Sequence, residues 1–193
     1  MNLIEVLENL IPCIKGKWFI GDGALLGIVR EGKLMDYDND IDIYILEDTE
    51  IDLTNSVLKE QDYYLCKKIY NPNNKPLKIN PWTDFIASLK PSHQNLNRPK
   101  LCTMASPLYK QSKIIHKFTD NHIDIFTIYK NKNIWELPLN TRMLGTFYNQ
   151  DDLILKENNA LGFPVYIPNN AEEVLERQYG KDWRIPNQNF KYY

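Results

Sequence analysis

Two aspartates two residues apart, in Asp40-Ile41-Asp42-Ile43, are the first feature able to do chemistry. In an extended strand such residues point the same way, roughly 6–7 Å apart along the chain. Ile41, Ile43 and Ile45 alternate with Asp40, Asp42 and Tyr44, so one face of the strand is apolar and the other carries the carboxylates. Carboxylates held this close repel each other. A divalent cation removes that cost, and Mg²⁺ favours a few carboxylates completed by water and phosphate oxygens. Such an ion, Mg²⁺ or Mn²⁺, would neutralise charge on the attacking and leaving oxygens of a phosphoryl-type transfer. A third carboxylate from another strand would bridge metal or accept a proton from the attacking hydroxyl. Asp124, in the second alternating run His122-Ile123-Asp124-Ile125-Phe126, is the candidate. The expected catalytic and metal-holding set is therefore Asp40, Asp42 and Asp124.

Upstream, Gly21-Asp22-Gly23-Ala24 reads as a small-residue turn opening a helix that runs to about Arg30. Free N–H groups at a helix start favour phosphate, which makes Gly21, Gly23 and Ala24 candidate contacts for a phosphorylated ligand. Arg30, at the far end, could grip phosphate bidentately or serve only as a helix C-terminal cation. Asp38 belongs at the mouth of the acidic strand as a supporting or solvated residue. His93, His116 and His122 are scattered and read as surface or internally satisfied histidines rather than ligands. A calcium loop is the rival for this segment, because Asp36, Asp38, Asp40, Asp42 and Glu47 fall at the ligand positions of an EF-hand. Its sixth position requires glycine at a sharp turn, and Ile41 stands there; a β-branched residue in that conformation is an outlier.

The elements that must position these groups follow from periodicity. Leu3, Ile4, Leu7, Leu10, Ile11 and Ile14 recur at helical spacing, with Pro12 ending or kinking the helix. Trp18-Phe19-Ile20 is a short strand, after which Asp22 caps the next helix and Gly32 stops it. A strand is expected over 40–46, a helix from Asp48 or Thr49 to about Glu60, and strands over 63–70 and 122–129. The stretches 71–81 and 91–99, rich in Asn, Pro and Lys, read as loops. A hairpin is expected from Leu153–Lys156 and Phe163–Ile167. Asn170 and Glu173 form a capping box for a helix through Tyr179, stopped by Gly180. Strands and helices without regular βαβ repetition make an α+β (mixed α/β) fold, a small mixed sheet flanked by helices. One domain over 1–193 is expected, with a core at about 17–130 and a C-terminal elaboration at about 131–193.

Composition narrows the function. Net charge is −2, from 23 basic and 25 acidic residues, so no general field attracts nucleic acid. The three cysteines are widely spaced and form no metal-binding pair, as expected of reduced thiols in a cytoplasmic protein. No stretch is apolar enough for a membrane span.

Taken together the motifs resemble the LicD/fukutin family of phosphotransferases, within the nucleotidyltransferase-fold superfamily. Gly23-Ala24-Leu25-Leu26-Gly27-Ile28-Val29-Arg30 is similar to the family's Gly-Thr-Leu-Leu-Gly-Ala-Val-Arg element. Asp38-Asn39-Asp40-Ile41-Asp42-Ile43 resembles its Asp-Asp-Asp-Ile-Asp-Ile strand, and Ile123-Asp124-Ile125-Phe126 its later Ile-Asp-Ile-Phe strand. Tyr179-Gly180-Lys181-Asp182-Trp183-Arg184-Ile185-Pro186 is similar to its Tyr-Gly-x-x-Trp-x-x-Pro closing motif. Two positions depart from the pattern: Ala24 stands in place of the usual Thr, and Met35-Asp36-Tyr37 in place of a Pro-Trp pair. The resemblance implies metal-dependent transfer of a phosphorylated small group, of phosphocholine or alditol-phosphate type. The donor would be CDP-linked and the acceptor a sugar hydroxyl of a glycan or glycolipid. Two alternatives stay open: nucleotidyl transfer from an NTP by the same carboxylates, and a noncatalytic nucleotide- or calcium-binding module.

Overall fold

The computed structural model describes residues 1–36, 38, 40–61, 63–67, 111–116, 122–136 and 147–186; the stretches 71–81 and 91–99 lie outside them. The architecture is α+β, as the mixed pattern of the sequence requires. Helix α1 (Leu3–Leu10) begins with a capping box in which Asn2 and Glu5 satisfy each other's backbone N–H. It buries Val6, Leu7 and Leu10. Pro12 then sits in a single 3₁₀ turn, Ile11–Cys13, because proline has no N–H to continue the helical ladder.

Strand β1 (Ile14–Lys15) leads to β2 (Trp18–Ile20) and helix α2 (Asp22–Glu31). Gly32 ends α2 in the left-handed conformation, φ 69°, donating its N–H to the Ile28 carbonyl, the expected glycine stop. The N-cap is Gly21, not Asp22. Asp22 is the first helical residue, with φ 44°, and its carboxylate is turned to Tyr44 instead of the helix start.

Strand β3 (Asp40–Leu46) follows as the alternation predicts, and a regular strand there rules out the EF-hand loop. The helix expected from 48 to 60 is mostly absent. Short strand β4 (Glu50–Ile51) pairs with β1, and only Val57–Glu60, helix α3, is helical. The Asp52 side chain accepts the Thr54 N–H (2.9 Å) and Ser56 accepts that of Leu58 (3.2 Å). Short polar side chains thus compete with the helix until Ser56 caps it.

Strands β5 (Tyr63–Lys67), β6 (Gln111–His116) and β7 (His122–Asn131) complete a sheet of order β2-β3-β7-β6-β5. The β3–β7 pair is parallel and the other neighbours are antiparallel, so the sheet is mixed. Strands β8 (Ile134–Glu136) and β9 (Phe147–Asn149) extend from the far end of β7. The C-terminal hairpin is β10 (Leu155–Asn158) with β11 (Val165–Pro168), each strand starting two residues later than the periodicity places it. Helix α4 (Ala171–Tyr179) packs against α2. Its expected capping box does not form, because the Asn170 amide donates to Asp152 Oδ1 (2.7 Å) and Glu173 instead. Ile41, Ile43, Ile123 and Ile125 are fully buried, so the apolar alternation of β3 and β7 does supply the core.

Candidate functional site

The register of the parallel pair builds the site. Asp42 lies opposite Asp124, and Asp40 opposite His122, so all four side chains project from one face of neighbouring strands. One row deeper, Phe19, Tyr44 and Phe126 lie side by side across β2, β3 and β7. Tyr44 stacks on both, at centroid distances of 5.5 and 5.3 Å, and Tyr148 of β9 packs edge-on against Phe19 and Tyr44. A packed aromatic floor therefore borders the carboxylates on the same face of the sheet.

Beyond the end of β2, the Gly21 N–H still bonds to the Asp42 carbonyl, at 3.0 Å. A side chain on Gly21 would place Cβ 2.3 Å from the Tyr44 ring, so the turn needs glycine to pass over the floor. It delivers Asp22 to the site. Asp22 is 6% exposed and accepts a 2.6 Å bond from the Tyr44 hydroxyl. Gln178 of α4 reaches Asp22 Oδ1 and the Tyr148 hydroxyl, each at 3.4 Å. Gly23 lies against Asp38, whose Oδ2 would be 2.9 Å from an added Cβ.

Five carboxylates thus influence one another. Burial raises the Asp42 carboxyl well above its usual range, reinforced by the negative charges of Asp22, Asp40, Asp124 and Asp38. Asp22 is pushed up to about 6, chiefly by burial and also by Asp40, against the lowering effect of the Tyr44 hydrogen bond. Such a concentration of negative charge fits a cation. Asp40, His122 and Asp124 each offer a ligand atom, and these atoms lie within 4.8 Å of one another. Hard carboxylate oxygens and an imidazole nitrogen suit divalent first-row metals.

The structure thus brings Asp38, Asp40, Asp42 and Asp124 together with Gly21 and Gly23 at the α2 start. Ala24 is buried, 1% exposed, within the core. The Arg30 guanidinium is engaged by Glu31 (2.6 Å) and the Trp183 carbonyl (3.5 Å), a tie between α2 and the closing segment. Two residues outside the expected site set lie beside it. Asp22 reads in the sequence as a cap, although it stands between two glycines, where the backbone is free to turn a side chain inward. His122, read as a surface or satisfied histidine, is 6% exposed, with Nε2 3.6 Å from Asp40 Oδ2. Its clue is position: it precedes Asp124 by two residues and so shares its face.

Acidic strands side by side on a mixed sheet, entered through a glycine turn, are the arrangement expected of a nucleotidyltransferase-type domain. A family model described as LicD/FKTN/FKRP, nucleotidyltransferase domain, matches residues 15–170, and the chain belongs to that family. Comparison with individual curated proteins yields no match. Membership points to a transferase of the phosphotransferase type. Among the described residues no helix is long and apolar enough to cross a membrane.

Proposed function

We propose that the protein transfers a phosphorylated small group, of phosphocholine or alditol-phosphate type, from a CDP-linked donor to a sugar hydroxyl. The observation that carries this reading is the register of Asp42 against Asp124 with Asp40 beside them, in a chain of this family. A bound Mg²⁺ or Mn²⁺ would supply charge neutralisation for the diphosphate and the leaving oxygen. Asp40, Asp42 and Asp124 would hold it. The start of α2 offers backbone N–H groups to donor phosphate, and Asp38 closes that mouth.

In the transfer the acceptor oxygen attacks the phosphorus bearing the small group. The bond from that phosphorus to the bridging oxygen breaks, CMP leaves, and the hydroxyl proton passes to a carboxylate, a role this reading gives to Asp124. The stacked rings of Phe19, Tyr44 and Phe126 next to the carboxylates favour a preorganised geometry.

The test is release of CMP from a panel of CDP-linked donors with sugar acceptors and divalent metal. The wild type should release CMP and transfer the phospho-group, whereas Asp42→Asn should lose at least about a hundredfold, the scale of one preorganised charge. Pyrophosphate release from an NTP would replace this reading with nucleotidyl transfer. Tight Ca²⁺ binding without turnover of any donor would replace it with a binding module.

A further inference from the structure

We propose that His122 is itself a ligand of the cation held by Asp40 and Asp124, so that the site prefers manganese, which accepts imidazole, to magnesium. The inference rests on the metal-dependent reading above and assigns a residue and an ion to it. His122 opens β7 opposite Asp40 of β3, and Asp124 follows it on the same face. The side chain is enclosed, at 6% exposure, so its direction is set by packing. His122 Nε2 lies 3.6 Å from Asp40 Oδ2, so the two side chains reach toward the same space. Two ligands each about 2.1 Å from one ion stand about 3 Å apart when adjacent and about 4.2 Å when opposite. The donor atoms of Asp40, His122 and Asp124, all within 4.8 Å, need only a small contraction to meet those separations.

The donor set decides the metal. Magnesium takes oxygen ligands in a strict octahedron and parts with water reluctantly. Manganese shares magnesium's liking for carboxylate and water but, as the first member of the first-row series, accepts a nitrogen ligand as well. One imidazole added to the carboxylates of Asp40 and Asp124, with Asp42 beside them, therefore disfavours magnesium relative to manganese.

The experiment loads metal-free protein with Mn²⁺ and records electron spin-echo modulation, alongside calorimetric titrations with Mn²⁺ and with Mg²⁺. Wild type should show ¹⁴N modulation from a directly bound imidazole, replaced by the ¹⁵N pattern when histidine is labelled, and it should bind Mn²⁺ more tightly than Mg²⁺. His122→Gln should lose the nitrogen modulation and weaken Mn²⁺ by about tenfold or more, while Mg²⁺ changes little. Thermal melting of the variant verifies that it folds, and the wild-type spectrum decides the matter if it does not. Bound manganese without nitrogen modulation, or modulation that survives in His122→Gln, overturns the assignment of His122 and leaves the transferase reading standing. Absence of any bound divalent ion overturns both.

Discussion

At the scale of single residues, Asp22 shows how the site is held under tension. Its backbone is left-handed, at φ 44°, costing about 1–2 kcal/mol in a residue with a Cβ. Its carboxylate is buried beside other carboxylates with the Tyr44 hydroxyl as a donor. Because its folded pKa, about 6, lies above the ordinary 3.8 of an aspartate, the native state binds the proton more tightly than the unfolded chain. Stability must then rise as pH falls from 8 through 6 toward 4, by at most about 3 kcal/mol at 1.36 kcal/mol per unit. Asp42 acts in the same direction. Asp52, lowered to about 2, is depressed rather than raised, so its contribution fades only below about pH 4, outside that window. Denaturant midpoints of metal-free protein at pH 8 and pH 5 should therefore differ in favour of pH 5. Asp22→Asn should be the more stable protein at pH 8 and show a smaller difference, and a divalent cation should shrink it in the wild type. Equal midpoints at both pH values would contradict this account of Asp22.

At the scale of elements, the decisive feature is the turn from β2 into α2. Gly21 continues the pairing with β3 while crossing the Tyr44 ring, and an added Cβ would lie 2.3 Å from that ring. Gly21→Ala should destabilise the fold by about 1–3 kcal/mol, the usual cost of overpacking, measured by urea denaturation. A loss below about 0.5 kcal/mol would show that the floor yields. Much of this element level is legible in the sequence. The alternation in 40–46 and 122–129 marks both strands and sorts their faces, and Gly32 marks the end of α2. Alternation of period two names a face, however, not a partner. Nothing local to Asp40 states that its strand runs parallel to a distant one with His122 at its side. Helix 48–60 fails for a related reason: the Asp52 and Ser56 side chains satisfy backbone N–H groups locally, which outweighs a weak helical pattern.

At the scale of the molecule, the C-terminal elements are tied to one another through the buried carboxylate of Asp152. Asp152 is fully buried and accepts from the Asn149 N–H (2.7 Å), the Asn170 amide (2.7 Å) and the Arg177 guanidinium. Arg177 also lies over the Phe147 ring, 5.6 Å from its centroid. Arg177→Met should cost roughly 1.5–3 kcal/mol, as for a hydrogen bond to a buried charge, and should loosen α4, which carries Gln178 to Asp22. Hydrogen exchange in α4 reads that loosening directly; unchanged protection there would separate the lock from the site. The central claim is that two neighbouring parallel strands present carboxylates that share one divalent cation. Anomalous scattering from crystals soaked with Mn²⁺ and a CDP-linked donor tests it most directly. The account predicts a manganese peak about 2.1–2.4 Å from carboxylate oxygens of β3 and β7, touching the donor diphosphate. A peak elsewhere, or none between those strands, would contradict it.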